Sequence, residues 1–278
     1  MQWFSTRSGQ NVATNSIKVY QDLSRQIINH INKGISIPDV LLQIEHLVKE
    51  ECQKQYKLNP TVGSLNNSKG RWNELITTSL LSKIVVETNS ISQQNGRSMV
   101  VFSLPKADTY QKIPSVFLTL FKKTELQKLQ TQNIFFSSPD YIIAFLNHDP
   151  TQFRDIQNLL TQQSYDPNSF NMFNYFKGSL EFQQVRAIIS LKTSNRPDRR
   201  YQPLFEAAMI KAIKCYLQVN WQYYMVCSEI TLSDHKMFQE AIAPHSIITQ
   251  KEELLVDGTY TYNKKADLVR LVNSVFMG

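Results

Sequence analysis

The densest group of chemically capable side chains in the sequence is Arg196-Pro197-Asp198-Arg199-Arg200. An arginine can donate two hydrogen bonds to guanine O6 and N7, and a carboxylate can accept from the cytosine N4 amine. Arginines with one acid between them therefore suit reading of adjacent G·C pairs in a major groove. The alternative for a short charge run is a solvated turn. Directly before it lies an apolar stretch ending Ile188-Ile189-Ser190-Leu191-Lys192, which would hold the basic segment at the edge of a sheet. Acids and one lysine supply a second chemistry. Hydrolysis of a phosphodiester calls for a divalent cation held by carboxylates and a positive charge near the attacking water and the scissile phosphate. Asp140 precedes the apolar run 141–146, Lys192 ends the run that starts at Val185, and the two meet if those runs are neighbouring strands. Glu206 follows Lys192 by fourteen residues, near the start of the next helix, from which it could point back at the strand end. Pro-Asp occurs at Pro38-Asp39, Pro139-Asp140 and Pro197-Asp198, and only the middle pair precedes a strand.

These side chains need a scaffold, and its periodicities are legible. Ile17, Tyr20, Leu23 or Ser24, Ile27 and Ile31 recur at three-to-four-residue spacing with Gly34 as a C-cap, predicting a first helix. Ser36-Ile37-Pro38-Asp39 has the form of an N-cap with an acid three residues on, opening a second helix to about Glu51. Residues 63–70, Gly-Ser-Leu-Asn-Asn-Ser-Lys-Gly, predict a polar loop, with a third helix from about Arg71 to Thr88. Residues 99–104, 141–146, 185–190 and 221–227 are short β-branched or aromatic runs and predict strands. A helix is expected over 204–219, a turn at Asp257-Gly258 and a last helix over about 264–276. Strands separated by a helix predict an α/β core with a mixed sheet, preceded by a helical part over 1–62 that packs on the core at 63–278.

Composition narrows the function classes. With 42% hydrophobic and 11% aromatic residues among 278, the chain can bury a sizeable core and does not have the composition of a disordered protein. No apolar run approaches the roughly 20 residues of a membrane span. Three widely spaced cysteines, Cys52, Cys215 and Cys227, point away from a zinc site or disulfide framework and toward a reducing, intracellular setting. The net charge of +7 permits a polyanionic partner without requiring one. The five histidines show neither HxH nor HExxH spacing and read as structural or exposed. Trp221, Tyr223 and Tyr224 read as core.

Taken in order, Pro139-Asp140, Ser190-Leu191-Lys192, Arg196-Pro197-Asp198-Arg199-Arg200 and Glu206 resemble the type II restriction endonucleases that cut sites with a central CCGG, within the PD-(D/E)XK nuclease superfamily. Most of that superfamily has an acid two residues before the lysine. In the CCGG group Ser or Thr commonly stands there, and a glutamate of the following helix substitutes; Ser190 and Glu206 match that swap. The resemblance implies a PD-(D/E)XK-like core with a central mixed sheet flanked by helices. It implies Asp140 and Glu206 as metal-binding acids, Lys192 as the catalytic lysine and Ser190 as a lesser active-site member. Glu74, 66 residues ahead of Asp140, falls where the family has a further metal-binding acid, the alternative being a glutamate facing solvent on its helix. Arg196, Asp198 and Arg199 fall on the CCGG-reading positions.

Base pairs flanking CCGG are read in some members from the loop before the Glu74 helix. Asn67, with Asn66 and Ser68, could make minor-groove contacts there, or could simply be turn-formers. Lys69, Arg71 and Arg200 are candidate phosphate contacts. The implied reaction is Mg²⁺-dependent, in-line hydrolysis of double-stranded DNA before the first C, leaving 5′-phosphates and four-base 5′ overhangs. The implied partners are DNA, a second copy of the chain in a homodimer or higher homo-oligomer, and a companion DNA methyltransferase in a bacterial cytoplasm. Two rival readings stay open at this point: another PD-(D/E)XK nuclease with a different target, and a DNA-binding protein that does not cleave.

Overall fold

The computed structural model describes residues 2–7, 11–91, 96–105, 116–129, 139–193 and 197–277, and of residues 7 and 197–201 the backbone alone. A hairpin opens the fold, β1 (Phe4–Arg7) paired antiparallel with β2 (Asn11–Thr14). The sequence pattern predicts only helices here, because strands of four residues in which Phe4 and Val12 are buried carry too little alternation to register. Helix α1 (Ser16–Asn32) follows, capped by the Asn15 side chain, which accepts from the Lys18 amide; its inner face buries Val19, Tyr20, Ile27 and Ile31. Gly34 lies just past its end at φ 90°, a conformation that favours glycine. Helix α2 (Ile37–Tyr56) starts at the expected cap: the Ser36 hydroxyl accepts from the Asp39 amide at 3.2 Å.

The expected loop over 63–70 is overturned. Residues Val62–Ile91 form one helix, α3, of 30 residues. Leu65, Ser68 and Trp72 all lie on its buried side at 6%, 3% and 0% exposure, so the helical stripe is present but interrupted by a serine. The Thr61 carbonyl accepts from the Leu65 amide and its hydroxyl from the Ser64 amide, closing the first turn. Packing thus overrides the weak helix propensity of Gly63 and Gly70.

The central sheet has the order β3-β4-β5-β6-β7, with β3 (Arg97–Ser103), β4 (Tyr141–Asn147), β5 (Val185–Lys192), β6 (Gln222–Cys227) and β7 (Gly258–Thr261). β3, β4 and β5 are antiparallel neighbours, whereas β5, β6 and β7 run parallel, so the sheet is mixed as expected. Asp257-Gly258, read as a turn, instead leads into β7. Helix α4 (Lys123–Gln127) precedes β4, and α5 (Pro150–Tyr165) and α6 (Met172–Phe176) join β4 to β5. Helix α7 (Pro197–Leu217) joins β5 to β6 and starts seven residues before its expected boundary, so Pro197 to Arg200 belong to a helix and not to a turn. Helices α8 (Leu232–Glu240) and α9 (Pro244–Thr249) precede β7, and α10 (Lys265–Met277) closes the chain. Helices α1, α2, α5 and α10 all pack on α3, which itself lies on β3, while α7 contacts β6 and α8 contacts β7. Residues 141–146 are all buried, which explains why β4 reads as a continuous apolar run with no alternation. Among the described residues no helix is long and apolar enough to cross a membrane, and all three cysteines are free thiols.

Candidate active site

Antiparallel pairing puts the start of β4 beside the end of β5, and Asp140 and Lys192 occupy those two ends. The Asp140 amide donates to the Ile189 carbonyl at 3.0 Å, continuing the ladder one residue beyond the strand. Its carboxylate then turns toward β5. Oδ2 accepts from the Leu191 amide at 2.7 Å, from Lys192 Nζ at 3.4 Å and from Ser190 Oγ at 3.5 Å. Backbone register thus brings the acid and the lysine together, as their placement in the sequence predicts.

Glu74 reaches the same place from α3. The hydroxyl of Tyr141, the residue after Asp140, donates to the Glu74 carbonyl at 2.9 Å and lies 3.3 Å from Thr78 Oγ1. Burial pushes that phenol well above its ordinary range, helped by the nearby Asp140 and Glu74 charges, so it stays protonated and able to donate. The result is a cavity of about 550 Å³ whose walls include Glu74, Asp140 and Lys192. Arg71 stands at its edge, bonded through Nη1 to Glu74 Oε2 and through Nη2 to Asn168 Oδ1, both at 3.0 Å. Asn168 and Asn171 complete one wall; no local sequence signal marks them, because the segment between α5 and α6 meets the site only in three dimensions.

Glu206 and Ser190 sit behind the cavity. Both are buried, at 3% and 0% exposure. Glu206 points from α7 toward β6, where its Oε1 accepts from the Tyr223 hydroxyl at 3.0 Å. That hydroxyl also interacts with the Ser190 side chain. Burial first, and the Glu206 charge second, push the Tyr223 phenol well above its ordinary range. Tyr223 is core, as expected, but sequence reasoning missed the polar task of its hydroxyl.

The remaining candidates are spread out. Asn67 is exposed on α3 and lines a separate polar cleft with Asn11, Thr14, Thr61 and Ser64; it sits on a helix, not in the loop expected for it. Lys69, on the same helix, is ion-paired with Glu45 of α2. Arg196 lies outside the described residues. Asp198, Arg199 and Arg200 fall in the first turns of α7, directly beyond the end of β5.

Asp140 and Glu74 offer hard carboxylate oxygens in one cavity, with no histidine or cysteine among its lining residues. Among the described residues no three His, Cys, Asp or Glu side chains converge into a ready-made cage. Mg²⁺ characteristically takes one or two carboxylates and completes its shell with water and substrate phosphate, so this donor set fits it better than zinc.

A sequence model of the Cfr10I/Bse634I restriction endonuclease family matches residues 2–277. The chain belongs to that family. A curated relative, the type II restriction enzyme Cfr10I of Citrobacter freundii, is 22% identical over 228 residues, covering 74% of this chain and 76% of the relative. The structure of the Bse634I restriction endonuclease superposes with a TM-score of 0.73 at 18% identity, over 98% of this chain and 96% of that one. The structure of the type IIF restriction endonuclease Bse634I with cognate DNA gives 0.71, also at 18% identity and over the same shares of both chains. This member of the Cfr10I/Bse634I family is therefore a type II restriction endonuclease with a Bse634I-like α/β fold, and enzymes of this kind are typically metal-dependent.

Proposed function

We propose that this endonuclease cuts double-stranded DNA at a short palindrome with a central CCGG, before the first C, using Mg²⁺. The observation that carries the reading is the junction of β4 and β5. There Asp140 and Lys192 share a contact at 3.4 Å in a cavity also walled by Glu74, with α7 and its basic first turns only a few residues beyond. Asp140 and Glu74, with Glu206 from behind, are the acids that would hold the cation, which when bound supplies electrostatic stabilisation of charge on the phosphoryl oxygens. Lys192, next to Asp140, steadies negative charge that develops as water attacks phosphorus in line with the departing 3′ oxygen. Arg196, Asp198 and Arg199 read the G·C pairs, Arg200, Lys69 and Arg71 contact phosphates, and Asn67 faces a flanking pair. A palindromic site calls for a two-fold homodimer or a higher assembly, one active site per strand. In a bacterial cytoplasm such an enzyme requires a methyltransferase protecting the host's own sites.

The test is digestion of mixed-sequence DNA with Mg²⁺, with EDTA as control, followed by sequencing of the ends. Ends that begin CCGG with a shared flanking pair support the proposal and supply the full site. Metal-dependent ends of unrelated sequence discard the CCGG reading and leave the nuclease.

A further inference from the structure

Tyr223 lies at a junction that the reaction as described does not use. It is fully buried on β6, opposite Ile188 of β5, and its hydroxyl reaches Glu206 Oε1 at 3.0 Å while also touching the Ser190 side chain. Ser190 in turn reaches Asp140 Oδ2 at 3.5 Å. One phenol thus stands between the acid donated by helix α7 and the strand position next to Asp140. We propose that Tyr223 is a positioning residue for Glu206, orienting that carboxylate toward the Ser190–Asp140 side of β5; this rests on the reading of Glu206 as a metal-binding acid.

The surroundings explain why one hydroxyl can have that effect. The backbone of Tyr223 is clamped on both sides by Asp257: Oδ2 accepts from the Tyr223 amide at 2.6 Å, and the Asp257 amide donates to the Tyr223 carbonyl at 2.8 Å. Asp257 also pairs at 2.7 Å with Lys211, which is fully buried on α7 five residues after Glu206. Strand and helix are therefore tied together independently of the phenol. Replacing Tyr223 with Phe leaves ring, strand and helix in place and removes the one hydroxyl that Glu206 and Ser190 share. Buried carboxylates are oriented by such donors, and loss of an outer-shell partner typically costs about 10–100-fold in metal affinity or activity.

The experiment compares wild type, Tyr223→Phe, Glu206→Gln and the double variant as full-length proteins. Cleavage of plasmid DNA is measured against Mg²⁺ concentration and, at saturating Mg²⁺, against DNA concentration. Metal-free unfolding in urea gives a readout that does not depend on cleavage. The expected result for Tyr223→Phe is a half-saturating Mg²⁺ concentration raised about 10–100-fold, with KM for DNA within about twofold of wild type. In the metal-free proteins the two substitutions are expected to be non-additive, as groups sharing a hydrogen bond are. Wild-type Mg²⁺ dependence in Tyr223→Phe, alongside a disabled Glu206→Gln, overturns the positioning role and spares the reading of Glu206. Wild-type cleavage by Glu206→Gln overturns both, even where the urea data show the hydrogen bond. Additive unfolding with an unchanged Mg²⁺ midpoint reduces Tyr223 to a core residue.

Discussion

Glu253 offers a perturbation whose size can be worked out from its contacts. Its carboxylate bridges Lys211 at 3.0 Å, Lys214 and the Nε2 of His245 at 2.9 Å, tying α7 to the segment between α9 and β7. Burial pushes its carboxyl up, but the hydrogen bonds from Lys214 and Lys211 outweigh that and bring it down from 4.5 to about 2. With about 1.4 kcal/mol per pH unit, the charged form would contribute about 3 kcal/mol at neutral pH. The side chain is 23% exposed, and solvent screening trims the figure to about 1–2 kcal/mol. The sign follows from linkage. A carboxyl held low in the fold stabilises it at pH above the unfolded value near 4.5, and that contribution fades as pH falls from 4.5 toward 2. Urea unfolding of wild type and Glu253→Gln at several pH values checks this. The variant should be weaker by about 1–2 kcal/mol near neutral pH, and more than half of the gap should close by about pH 3. A gap that stays constant across that range, or no gap at neutral pH, refutes the account of Glu253 as a charged tether.

Further outcomes follow from the same geometry. Lys192→Ala should lower the cleavage rate by about 10²–10³ while specific DNA binding persists in a gel-shift assay without metal; equal loss of binding and cleavage would move Lys192 to a binding role. Arg199→Ala should cost about 1–3 kcal/mol of discrimination at one guanine, measured by competition between single-substituted duplexes, whereas uniform weakening would make it a phosphate contact. Gly70→Ala should raise stability by about 0.5–1 kcal/mol in urea, since Gly70 lies inside α3 and an added methyl meets nothing within 4 Å; a loss would mean that the helix is strained there.

Much of the site was legible because strand ends carry it. Asp140 and Lys192 flank apolar runs, and once those runs are neighbouring strands their side chains must meet. Asn168 was invisible for the opposite reason: it lies on a connecting segment and bonds Arg71 across 97 residues, a contact that only tertiary packing creates. The start of α3 was misread because its first turns bury only Leu65 and the polar Ser68 before Trp72. A helix buried on polar as well as apolar residues shows little amphipathic contrast. The segment 63–70, with two glycines and four residues of turn-forming type, then looks like a connection. The polar work of Tyr223 was hidden for a related reason, since a tyrosine in an apolar strand shows its ring to pattern analysis and not its oxygen.

The hydroxyls of α3 determine how the enzyme's parts locate one another. Thr77, Thr78 and Ser82 each reach the carbonyl four residues earlier, which holds their oxygens close to the helix and in fixed directions. Thr77 Oγ1 also reaches the Tyr262 hydroxyl at 2.8 Å, Thr78 Oγ1 lies 3.3 Å from the Tyr141 hydroxyl, and Ser82 Oγ accepts from the Gln163 amide, so groups from three distant stretches of chain meet this row. Apolar side chains would let a helix slide or roll by a fraction of a turn at little cost. Directional bonds work instead as indexing pins that fix the helix in both rotation and height. The spacing between Glu74 and Asp140 is thus gauged through Tyr141, which binds the Glu74 carbonyl beside Thr78, and a drift toward valine and alanine along this row would loosen that gauge while leaving a well-filled core.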